Sequence, residues 1–321
     1  MTKFLVTGGA GFIGSHIVDA LVKDGSEVVV IDNLATGKKE NINPAADFHK
    51  LDITKEDEIE PFFKGVDGVF HVAAVARIGP SFENPDFYFQ TNVLGTRNVM
   101  AAAKKHGVKK IVYSSSSSVY GLSDILPLRE DFKISALALN PYASTKHMGE
   151  MLMYDLGKIT HGPETVCLRY FNVYGPRQTT VKDGAYATVV GIFMDLAIAR
   201  GKPLPIVPDG YQRRAFTWVG DVVRANILAM NQSGIGNADI FNIGSDSNYS
   251  VWDVARLILK VSPDITGEEL IKNGKCVFAP KRHGEVRETL ADISKAEKIL
   301  GWRPQVDFTG GINRLLKNYP K

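Results

Sequence analysis

The stretch TGGAGFIG, residues Thr7–Gly14, decides the fold of this chain. It follows the short apolar segment Lys3–Val6 and precedes Ser15–Lys23, in which apolar residues recur at helical spacing. Glycines in this arrangement permit a tight turn, let backbone N–H groups approach a pyrophosphate, and let a helix pack closely on a strand. The stretch therefore predicts a strand, a dinucleotide-binding loop and a helix in succession.

The same alternation continues through the first half of the chain. Segments rich in Val, Ile and Phe predict further strands at Glu27–Ile31, Phe48–Leu51, Gly68–Val72, Lys110–Ser114 and Thr165–Arg169. A helical pattern at Asn92–His106 separates two of them. Strands that are apolar throughout and alternate with helices indicate a parallel sheet covered on both faces. We predict an α/β fold with a Rossmann-type, doubly wound parallel sheet.

The pattern changes after Asn172, where Gly, Pro and aromatic residues become frequent. Helical patterns remain at Asp221–Met230 and Val251–Lys260, and a strand pattern lies at Ile240–Ile243. We predict a dinucleotide-binding domain over residues 1–172, with returning segments near 214–243. Residues 173–321 are expected to form a smaller α/β substrate-binding lobe.

Composition limits the partners of the chain. The 321 residues include 38 Lys and Arg against 35 Asp and Glu, a net charge of +3, and 44% are hydrophobic. These values exclude a mainly disordered chain and do not favour nucleic-acid or membrane-surface binding. Two cysteines, Cys167 and Cys276, cannot form a disulfide framework. The N-terminus lacks the features of a secretory signal, so we expect a cytoplasmic location.

Asp32 ends the second predicted strand, after the glycine stretch. A carboxylate at this place accepts hydrogen bonds from both ribose hydroxyls and repels a 2′-phosphate, which favours NAD over NADP. The alternative is an ordinary turn aspartate before Asn33. The glycines upstream favour the cofactor interpretation.

A tyrosine and a lysine indicate the chemistry. The sequence NPYASTK begins at Asn140 with residues typical of a helix N-terminus. Tyr142 and Lys146 then lie one turn apart on the same face. An ammonium beside a phenol lowers the pKa of the phenol, which can then take a proton from an alcohol near neutral pH. The alternative is an exposed pair without chemistry.

Together these motifs resemble the extended short-chain dehydrogenase/reductase superfamily, and within it the UDP-hexose 4-epimerases. The resemblance covers residues 1 to about 310 and rests on Thr7–Gly14, Ser114–Gly121, the pair Tyr142 and Lys146, and Arg169–Arg177. It implies a bound NAD cofactor, a UDP-sugar substrate and no metal. It also implies a homodimer joined along Pro85–His106 and Met148–Leu156.

The resemblance completes a catalytic set of Ser116, Tyr142 and Lys146. Ser117 and Ser118 stand where the dehydratase branch carries Asp and Glu, and the glutamate usual in the decarboxylase branch is absent from this loop. Without these carboxylates no acid is evident for expelling a hydroxyl group. The resemblance thus implies oxidation and re-reduction at the sugar C4 through a transient 4-keto sugar.

Further contacts are implied by the resemblance alone. Those with the cofactor are Gly8, Gly11, Phe12, Ile13, Gly14, Asp32, Asn33, Asp52, Ile53, Ala73, Ala74, Asn92, Ser114, Tyr142, Lys146 and Tyr170. A UDP-sugar carries two phosphates, which require cations and N–H donors. Its expected contacts are Arg77, Ser116, Asn172, Arg177, Ala187, Thr188, Arg214, Arg282 and Thr289.

Thr289 occupies the position that limits sugar size in the family. A small residue there admits a 2-acetamido group, so UDP-N-acetylglucosamine and UDP-N-acetylgalactosamine are the expected substrates, together with UDP-glucose and UDP-galactose. One alternative is a UDP-uronic acid 4-epimerase or another nucleotide-sugar oxidoreductase of this fold, in which Arg77 would meet a carboxylate. A second is a non-catalytic NAD-binding regulator, which typically lacks the Tyr or the Lys.

Overall fold

The structure is a computed structural model, and it describes residues 1–123, 125–132, 134, 139–158, 162–281, 284 and 286–319. The strands are β1 Lys3–Thr7, β2 Glu27–Ile31, β3 Asp47–His49, β4 Gly68–His71, β5 Lys110–Ser116, β6 Glu164–Tyr170, β7 Val173–Tyr174, β8 Leu204–Ile206, β9 Arg213–Ala215, β10 Thr217–Trp218, β11 Asn237–Ile243, β12 Asn248–Ser250 and β13 Cys276–Phe278.

The helices alternate with these strands in the first half of the chain. They are α1 Phe12–Lys23, α2 Glu56–Ile59, α3 Ile78–Glu83, α4 Pro85–Phe89, α5 Thr96–Lys105, α6 Pro141–Lys158, α7 Val189–Met194, α8 Val219–Asn231, α9 Val251–Leu259, α10 Gly267–Lys272, α11 Ser294–Leu300 and α12 Phe308–Asn318. Within the described ranges, no helix has the length and apolar character needed to cross a membrane.

The main sheet has seven parallel strands in the order β11-β6-β5-β4-β1-β2-β3. The chain winds outward from β1 in both directions, so the strand order reverses between β1 and β4. Sheets of this type bind ligands outside the carboxyl ends of the strands at that point. The prediction of a Rossmann-type, doubly wound parallel sheet is confirmed.

Alternate side chains of each strand enter separate cores on the two faces of the main sheet. One core holds Val6 and Val30 and is covered by α1 and α8. The other holds Leu5 and Val29 and is covered by α5 and α6. Since both faces are buried, the strands have no polar side, which is why they read as apolar runs.

The second half of the chain adds short strand pairs and a third core. Strand β7 pairs with β10, β8 with β13, and β9 with β12. The third core includes Phe193, Trp252 and Phe308. Two later segments join the main sheet, because α8 packs on β5 and β6, and β11 pairs with β6.

Several element boundaries differ from the prediction. The third strand lies at Asp47–His49 rather than Phe48–Leu51. Strand β5 runs on to Ser116, because Ser114–Ser116 continue the ladder with β6. The predicted helix at Asn92–His106 opens as a π-helical turn, Gln90–Gly95, before α5 begins.

Candidate active site

The glycine loop joins β1 to α1 where the strand order reverses. Gly8 has a φ of +72°, and a Cβ there would lie 2.8 Å from the Ala73 Cα. A Cβ on Gly14 would lie 2.1 Å from the Gly8 carbonyl oxygen. Helix α1 begins without a side-chain cap at Gly11. The loop is thus a close-packed cradle of backbone at a helix N-terminus, which fits a pyrophosphate.

Asp32 follows β2, and its carboxylate is fixed by two backbone N–H groups. Oδ2 accepts from Ala10 at 3.0 Å, and Oδ1 accepts from Leu34 at 2.8 Å. Burial raises the pKa of the carboxyl, and the two N–H groups oppose this effect. Each oxygen keeps a lone pair for a further donor. The arrangement fits a ribose diol.

The residues predicted beside Asp32 divide into two groups. Asn33 and Ile53 line the same cavity as Asp32. Asp52 lies behind them, where its Oδ2 accepts from Asn33 Nδ2 at 3.0 Å and its Oδ1 accepts from the Thr54 N–H at 2.8 Å. Asp52 therefore positions a lining residue instead of lining the cavity itself.

Ala73 and Ala74 line the cavity just beyond β4. The Ala73 N–H donates to Thr7 Oγ1 at 3.2 Å, and that oxygen lies 2.7 Å from His71 Nδ1. His71 Nε2 lies 2.8 Å from Thr96 Oγ1. Burial lowers the pKa of His71 to about 3, so the imidazole stays neutral and acts as a bridge between two strand ends and a helix.

Ser116 and Tyr142 meet at the cavity wall. Helix α6 starts as the sequence indicates, with Asn140 Oδ1 accepting from the Ala143 N–H at 2.8 Å. This start places Tyr142 in the first turn, opposite the end of β5. The two side chains hydrogen-bond each other, and both line the cavity.

Lys146 lies behind that wall. It is 4% exposed, and its Nζ donates to the Ser114 carbonyl oxygen at 2.7 Å. The ammonium also lies 5.0 Å from the centroid of the Tyr113 ring. Burial lowers the pKa of Lys146 to about 7, and the charge of Glu150 opposes this effect.

The expectation that Lys146 lowers the pKa of Tyr142 is not met in the structure. Burial raises the pKa of Tyr142 above its ordinary value. Two effects oppose the rise, namely the hydrogen bond with Ser116 and the positive charge of Arg77. Arg77 lines the cavity at the start of α3, with a φ of +93°. Sequence reasoning missed this cation as a partner of the phenol.

Three more predicted cofactor residues lie in or behind the cavity wall. Tyr170 lines the cavity, and its hydroxyl lies 3.0 Å from Ser114 Oγ. Asn92 donates from Nδ2 to the Val75 carbonyl at 2.9 Å and to Thr145 Oγ1 at 3.0 Å. Ser114 and Asn92 are therefore supports of the cavity wall.

One continuous cavity of about 1110 Å³ joins these groups to the second half of the chain. Its lining includes predicted residues from the glycine loop through the strand ends to the far side: Gly8, Gly11, Phe12, Ile13, Gly14, Asp32, Asn33, Ile53, Ala73, Ala74, Arg77, Ser116, Tyr142, Tyr170, Asn172, Ala187, Thr188, Arg214 and Thr289. The structure thus brings most of the two predicted residue sets into one space.

The far side of the cavity is organised by β9. Asn172 Nδ2 donates to the Ala215 carbonyl at 3.0 Å, and the Ala215 N–H donates to the Thr289 carbonyl at 3.1 Å. Arg214, beside Ala215, donates from Nη2 to the Val286 carbonyl at 2.6 Å. The small Ala215 therefore lies buried between two predicted substrate residues and supports both.

Thr289 is 7% exposed, lines the cavity, and its Oγ1 has no hydrogen-bond partner among the described residues. A buried hydroxyl without a partner is costly in a folded protein. Thr188, by contrast, accepts from the Gly191 N–H at 2.9 Å and so caps α7. The Thr289 hydroxyl is suited to bind a ligand in the cavity.

One predicted substrate residue among those described is not brought to the cavity. Arg177 Nη1 pairs with Asp19 Oδ2, on α1, at 2.8 Å. Arg282 lies outside the described residues. The cavity also includes Gln212, Phe216 and Tyr249, which sequence reasoning missed, since nothing before folding indicates that these parts of the second half face the glycine loop.

A family model for the NAD dependent epimerase/dehydratase family matches residues 4–244 of the chain. The chain belongs to this family. It is an enzyme of the epimerase class, and its cofactor is NAD. The glycine cradle and the Asp32 carboxylate of this epimerase fit a dinucleotide, as shown above. Within the described residues, no group of three or more His, Cys, Asp or Glu side chains could hold a metal ion.

Individual relatives differ in the sugar that their names carry. The epimerase is 40% identical over 97% of its length to a Methanocaldococcus jannaschii protein, provisionally named UDP-glucose 4-epimerase, of which 96% is covered. It is 33% identical to the UDP-glucuronate 4-epimerase of Thermodesulfobacterium geofontis, with 98% and 95% of the two chains covered. A solved UDP-N-acetylglucosamine 4-epimerase from Methanobrevibacter ruminantium, in complex with UDP-N-acetylmuramic acid, matches with a TM-score of 0.86 and 33% identity, over 98% and 97% of the chains.

Proposed function

We propose that this epimerase interconverts UDP-hexoses at C4, with UDP-N-acetylglucosamine and UDP-N-acetylgalactosamine as its main substrates and UDP-glucose and UDP-galactose as further ones. The observation that carries the proposal is the continuous cavity from the glycine loop past Ser116 and Tyr142 to Arg214 and Thr289. Its volume of about 1110 Å³ exceeds that of an ordinary small-molecule pocket. This supports the binding of a dinucleotide and a nucleotide sugar side by side.

The cofactor end of the cavity would hold NAD through the glycine loop and Asp32. When bound, NAD supplies the reversible oxidation of the sugar carbon. The loop backbone contributes N–H donors to the pyrophosphate, and the Asp32 carboxylate accepts from the ribose hydroxyls. Ala73, Ala74 and Tyr170 form the wall beside it.

Tyr142 is the proposed acid and base. In our proposal its phenolate takes the proton of the C4 hydroxyl and later returns it, while the Ser116 hydroxyl orients the same oxygen. The charge of Arg77 favours the phenolate over the phenol. Lys146 acts from behind the wall through its bond to the Ser114 carbonyl. No carboxylate follows Ser116 directly in the chain, so elimination of water has no evident acid there.

The sugar nucleotide is proposed to bind between Asn172, Arg214 and Thr289. Arg214 would meet the diphosphate, together with Arg282, which lies outside the described residues. Thr289 would leave room for an acetamido group and offer its hydroxyl to it. The side chain at this position is a threonine, which is much smaller than an aromatic side chain.

A Thr289→Tyr variant tests the sugar preference. We expect the kcat/KM for UDP-N-acetylglucosamine to fall about 100-fold, because an added aromatic ring removes the room for the acetamido group. UDP-glucose should be converted within a few-fold of the wild-type rate. Each purified variant is incubated with each sugar nucleotide and the products are separated by chromatography. Thr289→Val is the matched control for size. Equal losses for both sugars would contradict the proposal.

The second candidate substrate is a UDP-uronic acid, and Arg77 is the observation that favours it. Its guanidinium is close enough to Tyr142 to affect the phenol, so it would meet a carboxylate on C6 of a bound sugar. Arg77→Met separates the candidates. This variant should abolish turnover of UDP-glucuronate if that sugar is the substrate. If UDP-glucuronate is not the substrate, the variant should lower the rate of UDP-N-acetylglucosamine epimerisation only modestly.

The proposal extends to assembly and location. We propose a homodimer and a cytoplasmic location for this enzyme, in which Cys167 and Cys276 are free thiols. We also propose a division into an NAD-binding domain of residues 1–172, with returning segments near 214–243, and a substrate lobe formed by the rest of residues 173–321. Exposed apolar side chains on the packed helices α4–α6 support the dimer. They are Phe89, Leu94, Met148, Met151 and Tyr154.

A further inference from the structure

The end of β5 is fastened to α6 by three consecutive serines. On the helix, their partners are spaced four residues apart and so share one face. The contacts are those of Ser114 with Lys146, Ser115 with Glu150, and Ser116 with Tyr142. Ser115 lies between the other two serines on β5, and its partner Glu150 is the one to which the proposed mechanism gives no role.

Glu150 is buried with a matching cation. The carboxylate is 4% exposed and Arg169, on β6, is 1% exposed. Arg169 donates from Nε to Oε1 and from Nη2 to Oε2, both at 2.8 Å. Ser115 Oγ donates to Oε1 at 2.5 Å. Two parallel bonds to a planar guanidinium fix the position of the carboxylate closely. The Ser115 hydroxyl is thereby held in one orientation at the cavity wall.

We propose that Glu150 is a positioning residue of this active site, which sets the end of β5 against α6 and favours the charged form of Lys146. The inference rests on the proposed role of Tyr142 in epimerisation. Glu150 touches neither the substrate space nor the cofactor space, since it does not line the cavity. It acts through Ser115 and Lys146.

The surroundings of Lys146 leave Glu150 as its counter-charge among the described residues. His71, from β4, is neutral because burial lowers its pKa to about 3. Tyr113, on β5, is neutral because burial raises the pKa of its phenol. Burial raises the pKa of the Tyr142 phenol as well, which disfavours a phenolate as counter-charge before substrate binds. Burial is the largest effect on Glu150 and acts against its ionisation. The hydrogen bonds with Arg169, His147 and Ser115 and the charge of Arg169 together outweigh burial and hold the pKa of Glu150 at about 2.

These charges determine the direction in which the loss of the Glu150 carboxylate shifts the pKa of Lys146. Burial lowers the pKa of Lys146 to about 7, so a neighbouring charge changes its protonation state near neutral pH. A carboxylate one turn away favours the ammonium, and its loss favours the neutral amine. Removing the charge of Glu150 must therefore move the titration of Lys146 to lower pH. The alkaline limb of the rate profile should move with it.

The test is a direct titration of Lys146 in the NAD-loaded enzyme. The protein is labelled with ¹³C-lysine, and the Lys146 Cε resonance is assigned by its loss in Lys146→Met. In Glu150→Gln we expect the titration midpoint to fall by about one pH unit. The matched control is Asp155→Asn, which removes an exposed carboxylate from the same helix and should leave the midpoint in place.

A double variant serves as a control for destabilisation by an unpaired buried arginine. Glu150→Gln alone leaves a buried arginine without its partner, whereas Glu150→Gln with Arg169→Gln removes both members of the ion pair. Glu150→Gln should give the lower midpoint, and the double variant should give a smaller fall, because the loss of the Arg169 cation favours the ammonium of Lys146. A midpoint equal to wild type in Glu150→Gln, with NAD retained, would overturn the role of Glu150 in holding the charge of Lys146.

Ser115→Ala tests whether Glu150 positions the end of β5 against α6. It keeps both buried charges, so the Lys146 midpoint should stay in place. We expect kcat to fall about tenfold with KM unchanged, because the end of β5 loses its tie to α6. An unchanged kcat would overturn this part. If wild type converts no UDP-sugar at C4, the proposed function fails, while the titration still decides the role of Glu150.

Discussion

Polar residues on the cavity wall are mostly held by a partner behind them. Asp32 is fixed by the N–H groups of Ala10 and Leu34, and Asn172 by the carbonyl of Ala215. Such support restricts each side chain to one rotamer before a ligand arrives. Binding then costs less conformational entropy than it would with mobile side chains.

Asp32→Asn tests the cofactor end. We expect NAD to bind the NAD-free variant about tenfold more weakly than the NAD-free wild type, since a hydrogen bond from a hydroxyl to a charged acceptor contributes more than one to a neutral acceptor. Affinity is measured by calorimetric titration with NAD. Asp24→Asn, an exposed aspartate at the end of α1, is the control. Equal affinities in the wild type and Asp32→Asn would refute the assignment.

Some of the site could be predicted from the sequence and some could not. Tyr142 was predicted from the NPYASTK motif and Ser116 from the family resemblance. The two side chains meet because the end of β5 packs against the start of α6. The influence of Arg77 on Tyr142 could not be predicted. It depends on a loop after β4 in which a non-glycine residue has a positive φ.

At the scale of elements, residues 176–188 form a strap beside the cofactor end of the cavity. Two ion pairs tie it to the NAD-binding half, Arg177 with Asp19 and Lys38 with Asp183, each at 2.8 Å. The strap also lines the cavity through Thr179, Ala187 and Thr188. We therefore expect the strap to slow the release of a bound dinucleotide.

Removing both strap ion pairs should speed the loss of NAD. Partly exposed ion pairs contribute up to about 1 kcal/mol each, so Asp19→Asn with Lys38→Met should raise the release rate about tenfold. The wild-type rate should also rise with salt. Release is followed after rapid dilution of the NAD-loaded enzyme. Lys109→Met breaks a similar pair with Asp67 elsewhere and should have no effect. Identical rates would show that the strap does not retain the cofactor.

Element types were easier to predict than element ends. The apolar runs of β1, β2 and β4 and the capped start of α6 were found from sequence alone. The end of β5 was not, because serines are typical of loops, and here the ladder with β6 holds three of them extended. Tertiary pairing therefore overrides local preference at the point where the candidate active site lies.

At the scale of the whole molecule, helices α4–α6 leave an apolar face open. Met151 is 54% exposed, and Leu94, Met148 and Tyr154 are exposed beside it. Single exposed apolar residues are common, but a cluster on packed helices is typical of an interface. This face supports the proposed homodimer.

Met151→Lys should weaken that dimer. A lysine at the centre of an apolar interface is desolvated without a partner, so the protein should sediment as a monomer at micromolar concentration. Analytical ultracentrifugation gives the mass. Ile125→Lys, also at an exposed apolar position, is the control. A wild-type protein that is already monomeric would disprove the dimer.

The doubly wound sheet could be predicted from the sequence, but the way in which the second half of the chain contributes to the cavity wall could not. Alternating strands and helices specify the doubly wound sheet. The placing of Gln212 and Tyr249 on the cavity wall depends on long loops whose path follows from packing in the third core. Most of the cofactor end was therefore predictable, and much of the substrate end was not.

The central claim is that the Tyr142 phenol is the acid and base of a C4 epimerase, and Tyr142→Phe tests it most directly. The variant keeps the ring and its packing but loses the proton-carrying oxygen. We predict that epimerisation of UDP-N-acetylglucosamine falls by 10²- to 10⁴-fold, with NAD content and melting temperature unchanged. A rate within a few-fold of wild type would contradict the account.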